Sequence, residues 1–291
     1  MKLSAIVVTY NRLALLKECI AAINSQTRQP DQIIVVNNGS TDGTAGWLAT
    51  QDIIVITQPN RGGSWGFYAG IKKAYENKAD WMWIMDDDTI PSSTALEQLL
   101  AKTNMQGIGY LCSKVVWQDG KLHAMNIPAF CKPLDVTTSK ESNQELWVRH
   151  ASFVSLLVSA EACKKVGFPI KEFFIWNDDW EYTERITGSG LKGLYVPGSV
   201  VLHKTPENHS SDIYTDDVKN IWKYNYGLRN ELFICKNRKG LFKFWMLFFK
   251  KLFVIPVRIL SRRKKNKWAF IKTVWATSFK SVFFNPEIEK P

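Results

Sequence analysis

Trp81-Met82-Trp83-Ile84-Met85-Asp86-Asp87-Asp88 decides how this chain is read. Five apolar residues without a charge have the composition of a strand buried on both faces. Three carboxylates then follow with no spacer. Working back toward residue 1, the same grammar repeats. Residues 3–9 form an apolar, β-branched run, and 32–36 and 53–57 are two more. Helix-period segments separate them at 13–25, at about 41–47 and at 70–77, with Asn11 placed to cap the first and Thr41 or Asp42 the second. The order βαβαβαβ implies an α/β fold, a mostly parallel sheet with helices on both faces and right-handed crossovers. Ligands of such sheets bind beyond the carboxyl ends of the strands. The polar clusters at 9–12, 37–44 and 86–88 all fall at those ends.

Toward the other terminus the pattern is mixed. Strands are expected at 111–117, 151–159, 193–197 and 200–203, and helices at 160–166, 178–189 and 213–236, while 120–146 reads as an irregular loop over the site. The 291 residues carry 45% hydrophobic and 22% charged side chains, which excludes wholesale disorder and collagen-like structure. The net charge of +11 is unevenly placed. Residues 232–291 hold 15 Lys/Arg and 2 Asp/Glu, a net of +13, so residues 1–231 are close to neutral at −2. Five cysteines, an odd number without metal or redox spacing, read as reduced thiols. The first residues lack the apolar core and cleavage site of a signal peptide. No run reaches the ~18 apolar residues of a spanning helix. The expectation is a protein made and kept in the cytosol.

Three groups carry candidate chemistry. Asp86-Asp87-Asp88 is either a solvated turn before a helix or a hard-cation site shared with phosphate, and its place at a sheet edge favours the cation, Mg²⁺ or Mn²⁺. Trp176-Asn177-Asp178-Asp179-Trp180-Glu181-Tyr182 pairs acids with aromatics. Acids at a helix start stabilise its dipole, yet a carboxylate against aromatic surface is also the setting of a tuned general base. Asp179, flanked by Trp176 and Trp180, is expected to gain proton affinity there. Both tryptophans suit either a core or a sugar-stacking platform. His203, after an apolar strand, is a structural histidine or a nitrogen ligand to the same cation.

Taken together, Val7-Val8-Thr9-Tyr10-Asn11-Arg12, Val35-Val36-Asn37-Asn38-Gly39-Ser40-Thr41-Asp42-Gly43-Thr44, Asn60-Arg61-Gly62-Gly63-Ser64-Trp65-Gly66-Phe67 and Asp86-Asp87-Asp88 resemble the family-2 glycosyltransferases of the GT-A (Rossmann-like) fold, over about residues 1–205. The Gly-Gly-x-x-Gly-Phe stretch, the acid–aromatic block, His203 and Tyr226-Gly227-Leu228-Arg229-Asn230 are most similar to bacterial galactofuranosyltransferases. Bacterial rhamnosyltransferases share much of the frame. Many members have Asp where Asn38 stands.

The resemblance implies an inverting, metal-dependent hexosyltransferase of cell-surface polysaccharide synthesis. The expected donor is UDP-galactofuranose, with dTDP-rhamnose the alternative, and the expected acceptor is a glycan or lipid-linked oligosaccharide. It places Thr9, Asn11, Arg12, Asn38, Asp42, Asn60, Gly62, Gly63, Asp86 and Asp87 at the nucleotide sugar. Asp88, His203 and Asp86 would hold Mn²⁺ or Mg²⁺. Asp179 would be the base, and Asp178, Glu181, Trp176 and Trp180 would meet the acceptor. The competing class is a nucleotidyltransferase or a non-catalytic nucleotide-sugar-binding protein. Nucleotidyltransferases grip a triphosphate with a Gly-rich loop after the first strand, and Thr9-Tyr10-Asn11-Arg12 has no glycine. The expected organisation is a catalytic domain, 1–231, with a nucleotide-sugar half at 1–105 and an acceptor half at 106–231. A basic, aromatic-rich helical region, 232–291, follows it. Basic helices with aromatic faces lie in the membrane interface, so a peripheral place on the cytoplasmic face of the plasma membrane is expected, and nucleic acid is not.

Overall fold

A computed structural model describes residues 1–132 and 144–291. Part of the expected loop at 120–146 therefore lies outside the described residues. The strands are β1 (Leu3–Thr9), β2 (Gln32–Asn37), β3 (Ile54–Thr57), β4 (Trp81–Asp86), β5 (Thr89–Pro91), β6 (Ile108–Val116), β7 (Ala129–Phe130), β8 (Leu146–His150), β9 (Leu156–Ser159) and β10 (Lys192–His203). They form one sheet in the order β3-β2-β1-β4-β9-β6-β10-β8-β7, with β5 added to β10. The first four are mutually parallel, as are β6 and β10, while β9 runs antiparallel between β4 and β6.

Alternation along the strands builds two cores. Ile6, Val8, Ile34, Val36, Met82 and Ile84 face one side, under α3 (Gly63–Glu76) and the helix Ala160–Val166. Ala5, Val7, Val35, Trp83 and Met85 face the other, under α1 (Leu13–Asn24), α2 (Thr44–Leu48) and α4 (Ala95–Leu100). Every residue of β1 is buried, because both of its faces are covered. Helix α3 begins inside the glycine run rather than after it, and its glycines explain why. A Cβ on Gly66 would stand 2.5 Å from Val8 Cγ1, and one on Gly70 would stand 2.4 Å from Ile6 Cγ2. Bare backbone lets the helix lie against β1.

Register then sets the functional edge. Thr9 pairs with Asn37 and Val8 with Asp86, so three strands end together. The chain turns at Asp87-Asp88 into β5, where Thr89 pairs with His203 of β10. His203 and the aspartates meet because of these two ladders. Residues 193–203, expected as two strands, form one; Pro197-Gly198 is absorbed by a bulge between Val196 and Val200.

The chain divides into two compact units, 1–171 with 179–209 and 288–291, and 172–178 with 210–287. The boundary expected at 231 falls inside the helix Ile221–Phe249. The second unit consists of that helix, kinked at Gly240 (φ 85°, ψ 169°), a π-helical turn Lys250–Val254, and the helices Ile255–Arg262 and Lys267–Phe283. Tyr224, Ile259, Phe270, Ile271 and Val274 form its core.

Candidate functional site

Thr9, at the end of β1, donates its hydroxyl to Asp87 Oδ2 at 2.7 Å. Arg12 reaches Asp88 Oδ2 at 2.6 Å and Asp87 Oδ1 at 3.3 Å. Asp87 and Asp88 are buried and Asp86 is half-buried. Burial, then the neighbouring Asp88, pushes Asp86 up to about 7. Burial, only partly offset by Arg12, pushes Asp87 up to about 6. Burial would also raise Asp88, but His203 and Arg12 outweigh it and hold that carboxyl below its usual range.

His203 is oriented from behind. Asn126 donates its amide NH₂ to Ser152 Oγ at 2.9 Å, which turns its Oδ1 to His203 Nδ1 at 2.8 Å. An amide oxygen only accepts, so Nδ1 donates to it and Nε2 is the nitrogen turned toward Asp88. Nε2 lies 3.1 Å from Asp88 Oδ1. That oxygen is buried and, among the described residues, accepts no hydrogen bond. A carboxylate oxygen and an imidazole nitrogen thus converge in a buried setting, where a cation can be held between them. Asp86 offers a third ligand atom, and those of Asp86, Asp88 and His203 all lie within 4.8 Å of one another. Carboxylates with one imidazole suit a hard or borderline divalent cation, so the residues fit the metal that the sequence implies. His123 lies against His203 at 4.6 Å between ring centroids, tilted by 39°, and meets Thr205 Oγ1 at 2.7 Å. Burial, then His203, pushes His123 down to about 4, so it is neutral beside the cluster at neutral pH. The sequence did not mark His123 or Asn126; both sit in a stretch without periodicity, 77 or more residues from their partners.

The other donor-side residues knit the rim. Asn11 (φ 52°) does not cap α1; its Oδ1 takes Thr41 N–H at 2.7 Å. Asp42 replaces it, with Oδ2 taking Leu13 N–H at 2.9 Å and Oδ1 taking Thr44 N–H at 3.2 Å, so one carboxylate holds the starts of two helices. The Thr44 hydroxyl, then Leu13 N–H, lower its proton affinity. Asn38 donates to Gly62 O at 3.3 Å and accepts from Gln58 at 2.8 Å. Asn60 accepts from Gly62 N–H at 3.0 Å. Gly62 has φ 88°, open to glycine at little cost, and nothing lies closer than 4.0 Å to a Cβ position on Gly63.

The acid–aromatic block is split. Trp176 and Asp178 belong to the second unit, and Asp179, Trp180 and Glu181 to the first. Asp178 is buried and opens the helix Asp178–Gly188. Asp179 accepts from Trp180 N–H at 2.7 Å. Glu181, expected at the acceptor, is the buried counter-ion of Arg185 at 2.9 Å, and Arg185 also ties down Phe168 O. The Trp180 ring lies 5.4 Å from His150. Trp176 is half-buried, edge-on to Tyr224 at 5.1 Å and so close to Gly227 that a Cβ there would stand 2.7 Å from its ring.

Phe174, Trp176 and Asn177 have φ of 68°, 65° and 66°, a strained run for residues with side chains. Residues 226–230 hold it in place. Asn230 is fully buried and donates to Phe173 O at 3.0 Å, Ile175 O at 3.3 Å and Trp176 O at 2.9 Å. Arg229 donates to Glu172 O at 2.8 Å, and Asn177 donates to Gly227 O at 2.9 Å. The Tyr226–Asn230 motif is thus a clamp on the backbone that leads into Asp178 and Asp179.

Comparison with known proteins agrees with this frame. The family model of glycosyl transferase family 2 matches residues 4–167. The galactofuranosyltransferase GlfT1 of Mycolicibacterium smegmatis is 29% identical over 64% of this chain and 66% of its own. The O-antigen chain rhamnosyltransferase WbaN of Salmonella anatum is 31% identical over 68% of this chain and 64% of its own. The chain thus spans a little under two thirds of the length of these relatives. The crystal structure of GalNAc-T7 with UDP, GalNAc and Mn²⁺ is similar at TM-score 0.62 and 11% identity, covering 97% of this chain and 56% of that one. At that identity it speaks for the fold alone, which is of the GT-A type.

Two outcomes test the site. Raised proton affinities mean that ionising Asp86 and Asp87 costs the fold stability as pH rises from about 4 through 6 and 7. A bound cation reverses that cost. Saturating Mn²⁺ is expected to raise the melting temperature by about 5 °C at pH 8, with the gain shrinking toward pH 5. A gain that grows as pH falls would contradict the site. Asn230→Ala strands three carbonyls of a strained loop and is expected to lower stability by about 2 kcal/mol or more in urea unfolding; an unchanged midpoint would contradict the clamp.

Proposed function

The chain belongs to glycosyl transferase family 2, and from that premise we propose that it is an inverting, metal-dependent transferase moving galactofuranose from UDP-galactofuranose to a glycan or lipid-linked acceptor. The observation that carries this reading is the Asp88 Oδ1–His203 Nε2 pair with Asp86, at the edge where parallel strands end. Asp86, Asp88 and His203 would hold the cation. The imidazole nitrogen favours Mn²⁺ over Mg²⁺. When bound, it supplies positive charge against the charge that develops on the leaving diphosphate.

The chain's own groups do the rest. Thr9 fixes Asp87, and Arg12, half-exposed beside Asp88, is placed to turn toward a donor phosphate once another cation neutralises the carboxylates. Gly62 and Gly63 leave the donor room. Asp179 takes the proton from the acceptor hydroxyl. The hydroxyl oxygen forms its bond to the anomeric carbon as the bond from that carbon to the diphosphate oxygen breaks. Attack from the face opposite the leaving group inverts the centre. The likeness to WbaN supports a second reading, rhamnose from dTDP-rhamnose. The loop bonds of Asn38 argue against base selection by that side chain.

Turnover of UDP-galactofuranose and dTDP-rhamnose, followed as nucleotide release with and without EDTA, separates these readings. Release from UDP-galactofuranose that stops in EDTA and returns with Mn²⁺ is expected. Asp179→Asn should keep donor binding and lose about 10²–10⁴-fold in kcat, the worth of a positioned base. Full activity in excess chelator would overturn the metal role. A normal Asp179→Asn beside an inactive Asp178→Asn would move the base.

A further inference from the structure

Residues 236–284 of the second unit hold none of the groups named in the chemistry above, and their surface points to a different partner. Between residues 236 and 284 there are 14 Lys/Arg and no Asp/Glu. After the break at Gly240, residues 241–262 are almost continuously helical. One side of this stretch is core: Phe244, Phe248, Pro256 and Ile259 are buried. The opposite side is equally apolar but open. Phe242 is 78% exposed, Trp245 42%, Phe249 52%, Phe253 66% and Val257 65%. Their spacing of three and four residues makes one stripe. The rings form a ridge, with Trp245 6.0 Å from Phe249 and Phe249 stacked on Phe253 at 6.4 Å and 13°. A helical stretch with two apolar faces uses one for its own core and needs a second apolar environment for the other.

We propose that this stripe seats the protein on the surface of a membrane rich in anionic lipid. Charge complementarity selects that occupant. Lys243, Lys250, Arg258 and Arg262 are exposed along the same stretch, and Lys264 and Lys265 follow. Each adds an attraction to an anionic surface that salt screens. The apolar core of a protein–protein contact, by contrast, is depleted in lysine. Exposed Trp268 and Trp275 on the next helix add the residue type that favours the headgroup level. No helix among the described residues is long and apolar enough to cross a membrane, so the mode is lying on the interface. The inference does not depend on which sugar is moved. It brings the chain to the surface where a lipid-linked acceptor would be.

The full chain is sedimented with phosphatidylcholine vesicles and with vesicles containing phosphatidylglycerol, and tryptophan emission is recorded on binding. Binding to the anionic vesicles with a blue shift is expected, weakening about tenfold or more between about 50 and 500 mM salt. Phe249→Ser with Phe253→Ser should lower partition by about tenfold or more, without changing the melting temperature. Lys243→Glu with Lys250→Glu should weaken binding to anionic vesicles only. Three results would overturn the proposal. One is no binding to either vesicle; another is binding indifferent to both pairs of substitutions. The third is an oligomer that the Phe pair converts to monomer while vesicle binding stays the same, since a second copy of the chain would then cover the stripe.

Discussion

Everything at the candidate site follows from three carboxylates placed at the end of a buried strand. Burial raises the proton affinity of Asp86 and Asp87, while Asp88 stays ionised between Arg12 and His203. Arg12 supplies one positive charge against three acids, and it is held on the solvent side. The inner side of Asp88 faces Nε2 of His203. Among the described residues Oδ1 on that face accepts no hydrogen bond, which a folded protein tolerates where a ligand completes it. The sheet exists, in this sense, to hold an incomplete charge cluster open at its edge.

The second constraint is backbone strain before Asp178 and Asp179. Three residues with side chains sit at positive φ within four positions, and the buried amide of Asn230 binds the carbonyls around them. Strain held by a polar clamp fixes where the following helix starts. It also explains why residues 172–178 group with 210–287 rather than with their sequence neighbours.

Much of this was legible in the sequence because it is local. Strand runs ending in polar clusters place Thr9, Asn38 and Asp86–Asp88 on one edge, and parallel register does the rest. His203 is legible as the polar end of an apolar strand. What was not legible is long-range. Asn126 orients His203 across 77 residues, from a segment with no period. Asn11 looks like a cap, but Asp42 wins the α1 N-terminus by reaching across from another loop. Glu181 looks like a site acid until Arg185, four residues on, neutralises it in the core. In each case a partner distant in sequence or hidden by burial decides the role.

The central claim is that Asp86, Asp88 and His203 close around one divalent cation. Electron spin-echo envelope modulation of Mn²⁺ bound to the full chain reads the ligands directly. The account predicts modulation from a single histidine nitrogen that disappears in His203→Gln while the protein stays folded. Bound Mn²⁺ without nitrogen coupling, or coupling that survives His203→Gln, would contradict it.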